Sequence, residues 1–540
     1  MNHTVKWKMT EFEAASAENI KNPFWDVHTT AVFTHQESGT VQRVHGFYDG
    51  TNELGEHAWK YRFNPPETGI WLVRVESTPS LAGLDGNFEI LVAQAPEESK
   101  GLLRAHPRQT WGFAFDNGEH FFPLGDTMYN LFGGHYSGVD VEKILQHRKA
   151  QGVNYIRARM QVSPFHPGTR NRWQQIDCWP WGGSAQWPDF TVFNLDYFRS
   201  VDRSMELLTE LGIGAEVILE AWMLEFPFND RGKFLTEHEE HWIQYVVSRY
   251  AAYPSVYVWC PANEYDLYPG RTDKQRMRES NRWFRRLAAL VKSNDPFNHP
   301  VGIHQWDQSH SISEVMGDCD DLDVYLVQSD WGREIAELNR DPSLCLWIED
   351  QLLFHVPDKN KAAMCSEFGY ERGGKQFSLG VHDHMDEHHT RRGMWKAGFA
   401  GFPIVHGFNN TWGPYLTLEE DSYGSRYLLP YYRFMTEEFP FYSMSPAQEL
   451  IQSDELMSKL KSPALCLANA DRTAVAIYFP VAGSVRLNVD ATARYRSYWF
   501  NPRTGEKTDI AQTTSLQFET PSSGNDNLPE SDWVFCLRKE

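Results

Sequence analysis

The chain has 540 residues, which is too long for one ordinary hydrophobic core and predicts about three domains. Hydrophobic residues make up 41% and charged residues 23%, a composition that excludes a disordered or fibrous protein. A formal net charge of −21 argues against nucleic acid as a partner, because its phosphates are bound by clustered lysine and arginine.

The sequence also lacks the signals of export, membrane insertion, metal sites and disulfide frameworks. The segment 1–16 has no apolar signal-peptide core, and no apolar run reaches the roughly 18 residues that a membrane helix needs. The seven cysteines stand singly, and their odd number and spacing fit neither a disulfide framework nor a zinc site. We therefore expect a cytoplasmic protein without membrane contact, metal or other cofactor.

The two ends of the chain carry short strands separated by turn residues. In the first part, apolar and polar residues alternate in runs such as 29–35, 57–65 and 70–78, and glycine, proline and asparagine interrupt them. The last part of the chain shows the same alternation of apolar and polar residues, in runs such as 473–481 and 494–507. These patterns predict an antiparallel β-sandwich over residues 1–97 and a second one over residues 443–540.

The middle of the chain, residues 98–442, alternates apolar strands with amphipathic helices. The predicted strands lie within 120–126, 153–160, 213–222, 256–264, 300–307, 321–331, 361–371 and 402–413. Helical periodicity fills several of the intervals, for example at 139–152, 195–212, 237–254 and near 384–400. Eight regular strand and helix alternations of this size predict a (β/α)8 TIM barrel rather than an open doubly wound sheet.

In such a barrel the active site lies at the carboxyl ends of the strands. Glu264, in the run PANEY, and Glu367, in the run SEFG, both stand at predicted strand ends. Three βα units of roughly 31–35 residues separate them, which places them on strands four and seven. A single glutamate there is more often a salt-bridge partner, but two acids across a barrel mouth are what glycoside hydrolysis requires.

Several motifs resemble a known family. The NE of PANEY, the E of SEFG and the tryptophan of NNTWG are similar to those of the large clan of retaining (β/α)8 glycoside hydrolases. Within that clan, PLGDTMYNLF on strand one, LVQSDW on strand six and EFGYE on strand seven resemble the apiosidase-like barrels. The flanking runs GFYDGTNE, YRFNPPETGIW and YWFNPRTGE resemble the β-sandwiches that accompany these barrels, so the resemblance covers nearly the whole chain.

Two positions depart from the apiosidase-like pattern. Strand four carries Ala262-Asn263-Glu264 where those barrels have GGD, and Tyr129 stands where their GDTxW motif has tryptophan. These departures argue against a simple transfer of apiose specificity.

The resemblance implies a role for each site residue. Glu264 is expected to be the general acid/base, with a pKa raised by an apolar cleft, and Glu367 the nucleophile of a retaining reaction. Asn263 is expected to bind the sugar 2-hydroxyl, and Arg157 to hold Glu367 ionised. The predicted substrate-binding set is Asp126, Arg157, Asn263, His304, Gln328, Trp412 and Trp222.

Some members of this set have a structural alternative. His304 is either a site residue or a core histidine, and Arg157 and Arg159 could neutralise buried acids instead of contacting substrate. Asp126 is expected to bind sugar hydroxyls, and Trp412 to form the floor under the ring. Glu220 and Trp222 either line the site or lie where a salt bridge of Glu220 closes behind it.

The run HDHMDEHH at 382–389 raises the question of a metal, because His384 and His388 have helical i, i+4 spacing. The segment also begins a predicted helix, where acidic residues are favoured by the helix dipole. We favour the helix start and predict no metal site.

The preferred function is therefore a retaining glycosidase that acts from the end of short oligosaccharides or glycosides. The partner is a carbohydrate substrate, and a homo-oligomer is left open. One alternative is an endo-acting glycanase on a polysaccharide, and another is a non-catalytic carbohydrate-binding barrel. Loop composition does not determine the sugar, the linkage or the anomer.

Overall fold

A computed structural model shows the fold of most of the chain. The residues described are 2–106, 111–162, 178–221, 225–268, 274–307, 309–328, 348–357, 360–371, 386–412, 416–419, 421–453, 463–490, 492–510, 516–521 and 531–540.

Two sheets form the N-terminal part. Its strands are β1 (Asn2–Val5), β2 (Thr10–Ser16), β3 (His28–His35), β4 (Val41–His45), β5 (Phe47–Thr51), β6 (His57–Phe63), β7 (Gly69–Thr78) and β8 (Gly86–Ala93). One sheet has the order β1-β8-β7-β3-β4 and the other β2-β6-β5. Phe33 and Phe63 stack between the sheets with ring centroids 4.0 Å apart. The pairing is antiparallel throughout except that β1 runs parallel to β8, which differs from the wholly antiparallel prediction.

The central part is the predicted barrel. Its strands and the hairpins beside it are β9 (Leu103–Ala105), β10 (Phe113–Phe115), β11 (Leu124–Thr127), β12 (Tyr155–Arg159), β13 (Trp181–Gly183), β14 (Pro188–Phe193), β15 (Gly214–Glu220), β16 (Val256–Ala262), β17 (Gly302–His304), β18 (Val324–Gln328), β19 (Ala362–Glu371) and β20 (Ile404–Phe408). Eight of these form a parallel sheet in the order β16-β15-β12-β11-β20-β19-β18-β17. A parallel bridge between Trp259 and Val301 brings its two edge strands together. The prediction of a (β/α)8 barrel with flanking β domains is confirmed.

Helices follow the barrel strands. They are α1 (Leu131–Gly134), α2 (Val141–Ala150), α3 (Leu195–Leu211), α4 (Thr236–Tyr250), α5 (Lys274–Asn294), α6 (Ile312–Met316), α7 (Ile348–His355), α8 (Glu387–Phe399), α9 (Asn409–Trp412) and α10 (Leu428–Arg433). The limits of α3 follow from its sequence. The Asn194 side chain accepts from the Tyr197 amide at its start, and Gly212 adopts the left-handed conformation at its end.

The C-terminal part consists of two further sheets. Its strands are β21 (Met444–Pro446), β22 (Ile451–Ser453), β23 (Leu465–Asn469), β24 (Ala474–Phe479), β25 (Ser484–Leu487), β26 (Tyr495–Phe500), β27 (Lys507–Ile510), β28 (Gln517–Glu519) and β29 (Trp533–Lys539). The sheet orders are β21-β23-β24-β29-β26-β27 and β22-β25-β28. Arg391, on α8, forms a buried ion pair of 2.9 Å with Asp532, which fixes these sheets to the barrel. Within the described residues, no helix combines the length and hydropathy that a membrane crossing requires.

Candidate active site

Glu264 lies just beyond the end of a barrel strand, as the sequence predicts. Strand β16 ends at Ala262, and the backbone of Glu264 adopts a φ of 51°. This left-handed conformation is unfavourable for a side chain such as glutamate, at a cost of about 1–3 kcal/mol, and it persists where surrounding contacts enforce it. One such contact is the hydrogen bond of 3.2 Å that the Glu264 amide donates to Nδ1 of His304.

Glu367 lies on β19, where several hydrogen-bond donors converge on its carboxylate. Arg157 Nη1 donates to Oε2 at 2.8 Å, and the Tyr129 hydroxyl donates to the same oxygen at 3.0 Å. Gln328 donates from Nε2 to Oε1 at 3.2 Å. A cation and two neutral donors around one carboxylate stabilise a negative charge there.

Arg157 connects this carboxylate to the interior of the barrel. Its Nε donates to Glu216 at 3.0 Å, and its guanidinium also donates to the Asn263 side-chain oxygen. Glu216 additionally accepts a hydrogen bond of 3.1 Å from the Tyr155 hydroxyl. Because Arg157 and Glu216 are fully buried, this network holds the guanidinium in one orientation beneath the cleft.

The two candidate catalytic glutamates have different surroundings. Burial raises the pKa of Glu264 well above its ordinary value, and the nearby charges of Glu367 and Asp266 raise it further. Arg157 and a hydrogen bond from Gln328 oppose this shift but do not cancel it. Glu264 therefore keeps its proton at a pH where an exposed glutamate is ionised, while the arginine contacts Glu367 directly.

His304 lies between the two glutamates. Since its Nδ1 accepts the Glu264 amide, the ring proton is assigned to Nε2, which lies 3.4 Å from Oε2 of Glu367. Burial, together with the charge of Arg157, lowers the pKa of His304 well below its usual value. The side chain is thus a neutral imidazole between the Glu264 backbone and the Glu367 carboxylate, which favours a role in the site over that of an isolated core histidine.

Two further predicted substrate ligands are close to this network. The Asn263 side chain is buried, and its Nδ2 has no protein partner among the described residues. An amide group in that position can donate a hydrogen bond to a sugar hydroxyl. Trp412 is buried, with its ring centroid 6.1 Å from that of Tyr129. Contact of Asn263 and Trp412 with a sugar stays a prediction.

Asp126 lies on β11, the first barrel strand, and its carboxylate is bonded within the protein. Its Oδ2 accepts from Arg148 at 2.7 Å, and the Thr411 hydroxyl donates to both of its oxygens. The side chain is fully buried, and burial raises its pKa to about 6. The carboxylate is therefore already bonded to Arg148 and Thr411, and contact of Asp126 with sugar hydroxyls stays a prediction. Trp222 lies outside the described residues.

The alternatives left open on neighbouring strands resolve into ion pairs. Glu220 is buried and accepts a bond of 2.7 Å from Arg231, which matches the salt-bridge interpretation. Arg159 bonds to Asn130 and Glu225. Glu220 and Glu225 are thus each paired with an arginine within the protein.

The segment suspected of binding metal begins a helix, as predicted. The Asp386 side chain accepts from the backbone amides of His388 and His389 at the start of α8. Among the described residues, no group of three or more acidic, histidine or cysteine side chains is arranged to hold a metal. Residues 382–385 lie outside the described residues.

Sequence reasoning did not assign a role to Tyr129, Glu216 or Asp266. Tyr129 stood out only as a departure from a motif, although its place after the first strand was a usable signal. Glu216 is a charged residue within the otherwise apolar run 213–219, which also could have indicated an inward polar contact. Asp266 follows Glu264 by two residues and gave no sequence signal.

An eight-stranded parallel barrel with one glutamate just after β16 and another on β19, three strands away, is typical of a glycoside-hydrolase-like protein. The profile described as the apiosidase-like catalytic domain matches residues 112–427, more than half of the chain, and the protein belongs to this family. A domain of unknown function matches residues 3–78, and a candidate collagen-binding domain of a collagenase matches residues 445–538. No curated protein matches the sequence significantly.

Solved structures share the fold at low sequence identity. A candidate glycoside hydrolase from Bacteroides vulgatus ATCC 8482 has a TM-score of 0.69 and 16% identity, with 100% of both chains covered. A glycoside hydrolase family 5 protein from the same organism has a TM-score of 0.57 and 14% identity, over 81% of this chain and 94% of that one. Another glycoside hydrolase has a TM-score of 0.57 and 15% identity, over 81% and 97%.

Proposed function

We propose that the protein is a retaining glycosidase in which Glu367 is the nucleophile and Glu264 the general acid/base. The observation that carries the proposal is the unequal environment of the two acids. Glu367 accepts bonds from Arg157, Tyr129 and Gln328, whereas Glu264 is buried with a raised pKa. One ionised and one protonated carboxyl group is the pairing that glycoside cleavage uses.

In the first step, the Glu367 carboxylate attacks the anomeric carbon while Glu264 gives its proton to the departing oxygen. The glycosyl ester on Glu367 is then hydrolysed by a water molecule that the ionised Glu264 deprotonates. Negative charge leaves Glu367 in the first step, so the pKa of Glu264 falls and the same residue becomes a base. Asn263 is proposed to bond the 2-hydroxyl, because its buried amide is presented next to Arg157.

The roles are tested with paired variants and aryl glycosides of different leaving groups. We expect Glu367→Ala to lose turnover of every substrate. Glu264→Ala should lower kcat/KM by about 10²–10⁴-fold on phenyl glycosides but much less on 2,4-dinitrophenyl glycosides, whose leaving group needs no proton, while kcat falls on both because the second step loses its base. Glu449→Ala serves as the control, since that side chain is 64% exposed. Full activity of Glu367→Ala would refute the nucleophile assignment.

The stereochemistry and the substrate are tested separately. A screen of pyranosides and furanosides identifies the sugar, and NMR identifies the first anomer released. An inverted product would exclude the retaining mechanism. Action from a chain end is tested on a series of oligosaccharides of increasing length, where release of single sugars from one end is expected and internal cleavage would support an endo-acting enzyme.

A further inference from the structure

Gln328 is the last residue of β18, and its side-chain amide lies beside both candidate catalytic acids. It is paired with Glu367 in the register of β18 and β19, and its Nε2 donates to Oε1 of Glu367 at 3.2 Å. The same amide makes a hydrogen-bond contact with Glu264, where it acts to lower the pKa of that carboxyl group. One neutral side chain thus serves the two carboxyl groups of the proposed reaction.

The orientation of the Gln328 amide follows from these contacts. Ionised carboxylate oxygens only accept hydrogen bonds, so the NH2 group of Gln328, which carries two donors, must face Glu367. The side-chain oxygen of Gln328 is buried and has no partner among the described residues. No bond to that oxygen within the described part of the chain therefore opposes a small turn of the amide between the two acids.

The negative charge of the pair changes place during the proposed reaction. Glu367 is ionised at the start, and formation of the glycosyl ester removes its charge while Glu264 gives its proton to the departing oxygen. Glu264 then carries the charge until it takes a proton from the attacking water. Because a hydrogen bond to an ionised group is stronger than one to a neutral group, the Gln328 amide favours each acid at the stage when that acid is ionised.

We propose that Gln328 is a positioning residue that acts through the two glutamates, holding Glu367 for the attack and then stabilising Glu264 as the base of the second step. This inference rests on the proposed glycosidase function, and it gives Gln328 a role that the predicted contact with substrate does not include. A residue that only binds the sugar would raise KM when removed and would leave the ionisation of Glu264 unchanged.

The first test is the pH profile of Gln328→Met, a variant with an unbranched side chain that has lost both donors. Without the amide, one of the contacts that lower the pKa of Glu264 is missing. The pKa of this general acid therefore rises, and the basic limb of the kcat/KM profile should move to higher pH. The value of kcat/KM should also fall by about 10- to 100-fold, because a hydrogen bond to a charged group is lost.

The second test isolates the second step of the reaction. A 2-deoxy-2-fluoro derivative of the accepted sugar with a 2,4-dinitrophenyl leaving group should accumulate the glycosyl ester on Glu367, because the fluorine slows both steps and the leaving group keeps the first one fast. After excess substrate is removed, the recovery of activity measures hydrolysis of the ester, for which Glu264 is the base. Recovery should be about tenfold slower in Gln328→Met than in the unmodified protein.

Gln42→Met is the matched control. Gln42 is also half-buried, its Nε2 donates to the Pro296 carbonyl at 3.1 Å, and its side-chain oxygen likewise has no partner among the described residues. It lies on β4 in the N-terminal sheets, so this variant should change neither the pH profile nor the recovery.

Three results would each overturn the role of Gln328 and leave the glycosidase function intact. They are a raised KM in Gln328→Met with an unmoved basic limb, a basic limb that moves to lower pH, and hydrolysis of the ester at the rate of the unmodified protein. Failure of the glycosidase proposal is detected separately, by a fully active Glu367→Ala variant.

Discussion

Arg157 donates a hydrogen bond of 2.8 Å to Glu367, and the two side chains are 0% and 4% exposed. Removing both charges from water is costly, and the contact is favourable because further bonds satisfy the guanidinium. Glu216 supplies one of these bonds at 3.0 Å. The candidate nucleophile is thus oriented by a cation that is itself fixed from within the barrel.

The Tyr129 hydroxyl is one of the two neutral donors to Glu367, and its removal tests that contact. Burial raises the pKa of Tyr129 well above its usual value, so it remains a hydroxyl donor across the working pH range. A hydrogen bond to a charged group contributes about 1.5–3 kcal/mol. We expect Tyr129→Phe to lower kcat/KM by roughly 10- to 100-fold without unfolding the protein.

The control is Tyr155→Phe, which removes a hydroxyl that donates to Glu216 at 3.1 Å in the same network. Two further contacts, from Glu216 to Arg157 and from Arg157 to Glu367, separate that bond from the reacting carboxylate, so this variant should affect the free energy of unfolding more than kcat/KM. An equal loss of activity in both variants would contradict a specific role for Tyr129.

The charge of Asp266 is expected to set the upper pH limit of activity. Its negative charge is one of the causes that raise the pKa of Glu264. A general acid loses activity as the pH rises through its own pKa, so a lower pKa moves that limit to lower pH. Asp266→Asn should therefore shift the basic limb of the kcat/KM profile to lower pH.

Asp318→Asn is the comparison for this profile, because the Asp318 side chain is 80% exposed and belongs to a surface ion pair. Its profile should coincide with that of the unmodified protein. If the basic limb of Asp266→Asn lies at the same pH as that of the unmodified protein, Asp266 does not raise the pKa of Glu264 and only holds the backbone amides of Trp306 and Asp307.

Glu371 is expected to make stability depend on pH. Burial raises its pKa to about 7, while Thr390 and the Gly424 amide donate to its carboxyl group. A raised pKa means that the native state holds a proton that the unfolded state releases. This stabilisation is complete below the unfolded pKa of about 4.3 and is lost as the pH rises through about 7.

Glu371→Gln removes the titration and keeps the side chain neutral. Between about pH 4.5 and 7, its free energy of unfolding should gain about 3 kcal/mol relative to the unmodified protein. Urea denaturation at several pH values measures the difference, with Glu449→Gln as the exposed control. A constant difference across this pH range would show that Glu371 does not carry the buried proton.

The ion pair between Arg391 and Asp532 is expected to hold the C-terminal sheets to the barrel. Burial acts to raise the pKa of Asp532, but the charge and hydrogen bonds of Arg391, with the charges of Arg392 and Arg503, outweigh it and the pKa is lowered. Replacing one buried partner leaves the other charge uncompensated, at a cost of about 3–5 kcal/mol. We expect Asp532→Asn to lose that amount in chemical denaturation.

Asp509→Asn is the matched comparison, because Asp509 pairs with Arg496 where both side chains are 69% exposed. That variant should change the free energy of unfolding by less than about 1 kcal/mol. Similar losses in the two variants would mean that burial of the Asp532 pair adds nothing to stability.

Local sequence patterns were sufficient for the architecture. The alternation of apolar runs and amphipathic helices determines which segments are strands, because side-chain periodicity is a property of neighbouring residues. The predicted helix 195–212 is observed as Leu195–Leu211, and its limits follow from the adjacent Asn194 and Gly212. The position of Glu264 after its strand was predictable for the same reason.

The tertiary structure decided which side chains meet. The bond from Tyr129 to Glu367 spans 238 residues, and the one from Arg157 to Glu367 spans 210. Asp126 and Arg157 both follow from strand patterns, yet one is bonded to Arg148 behind the site and the other to the candidate nucleophile. The sequence by itself determined the barrel and the pair of acids, whereas their network depends on contacts between distant segments, which local periodicity does not encode.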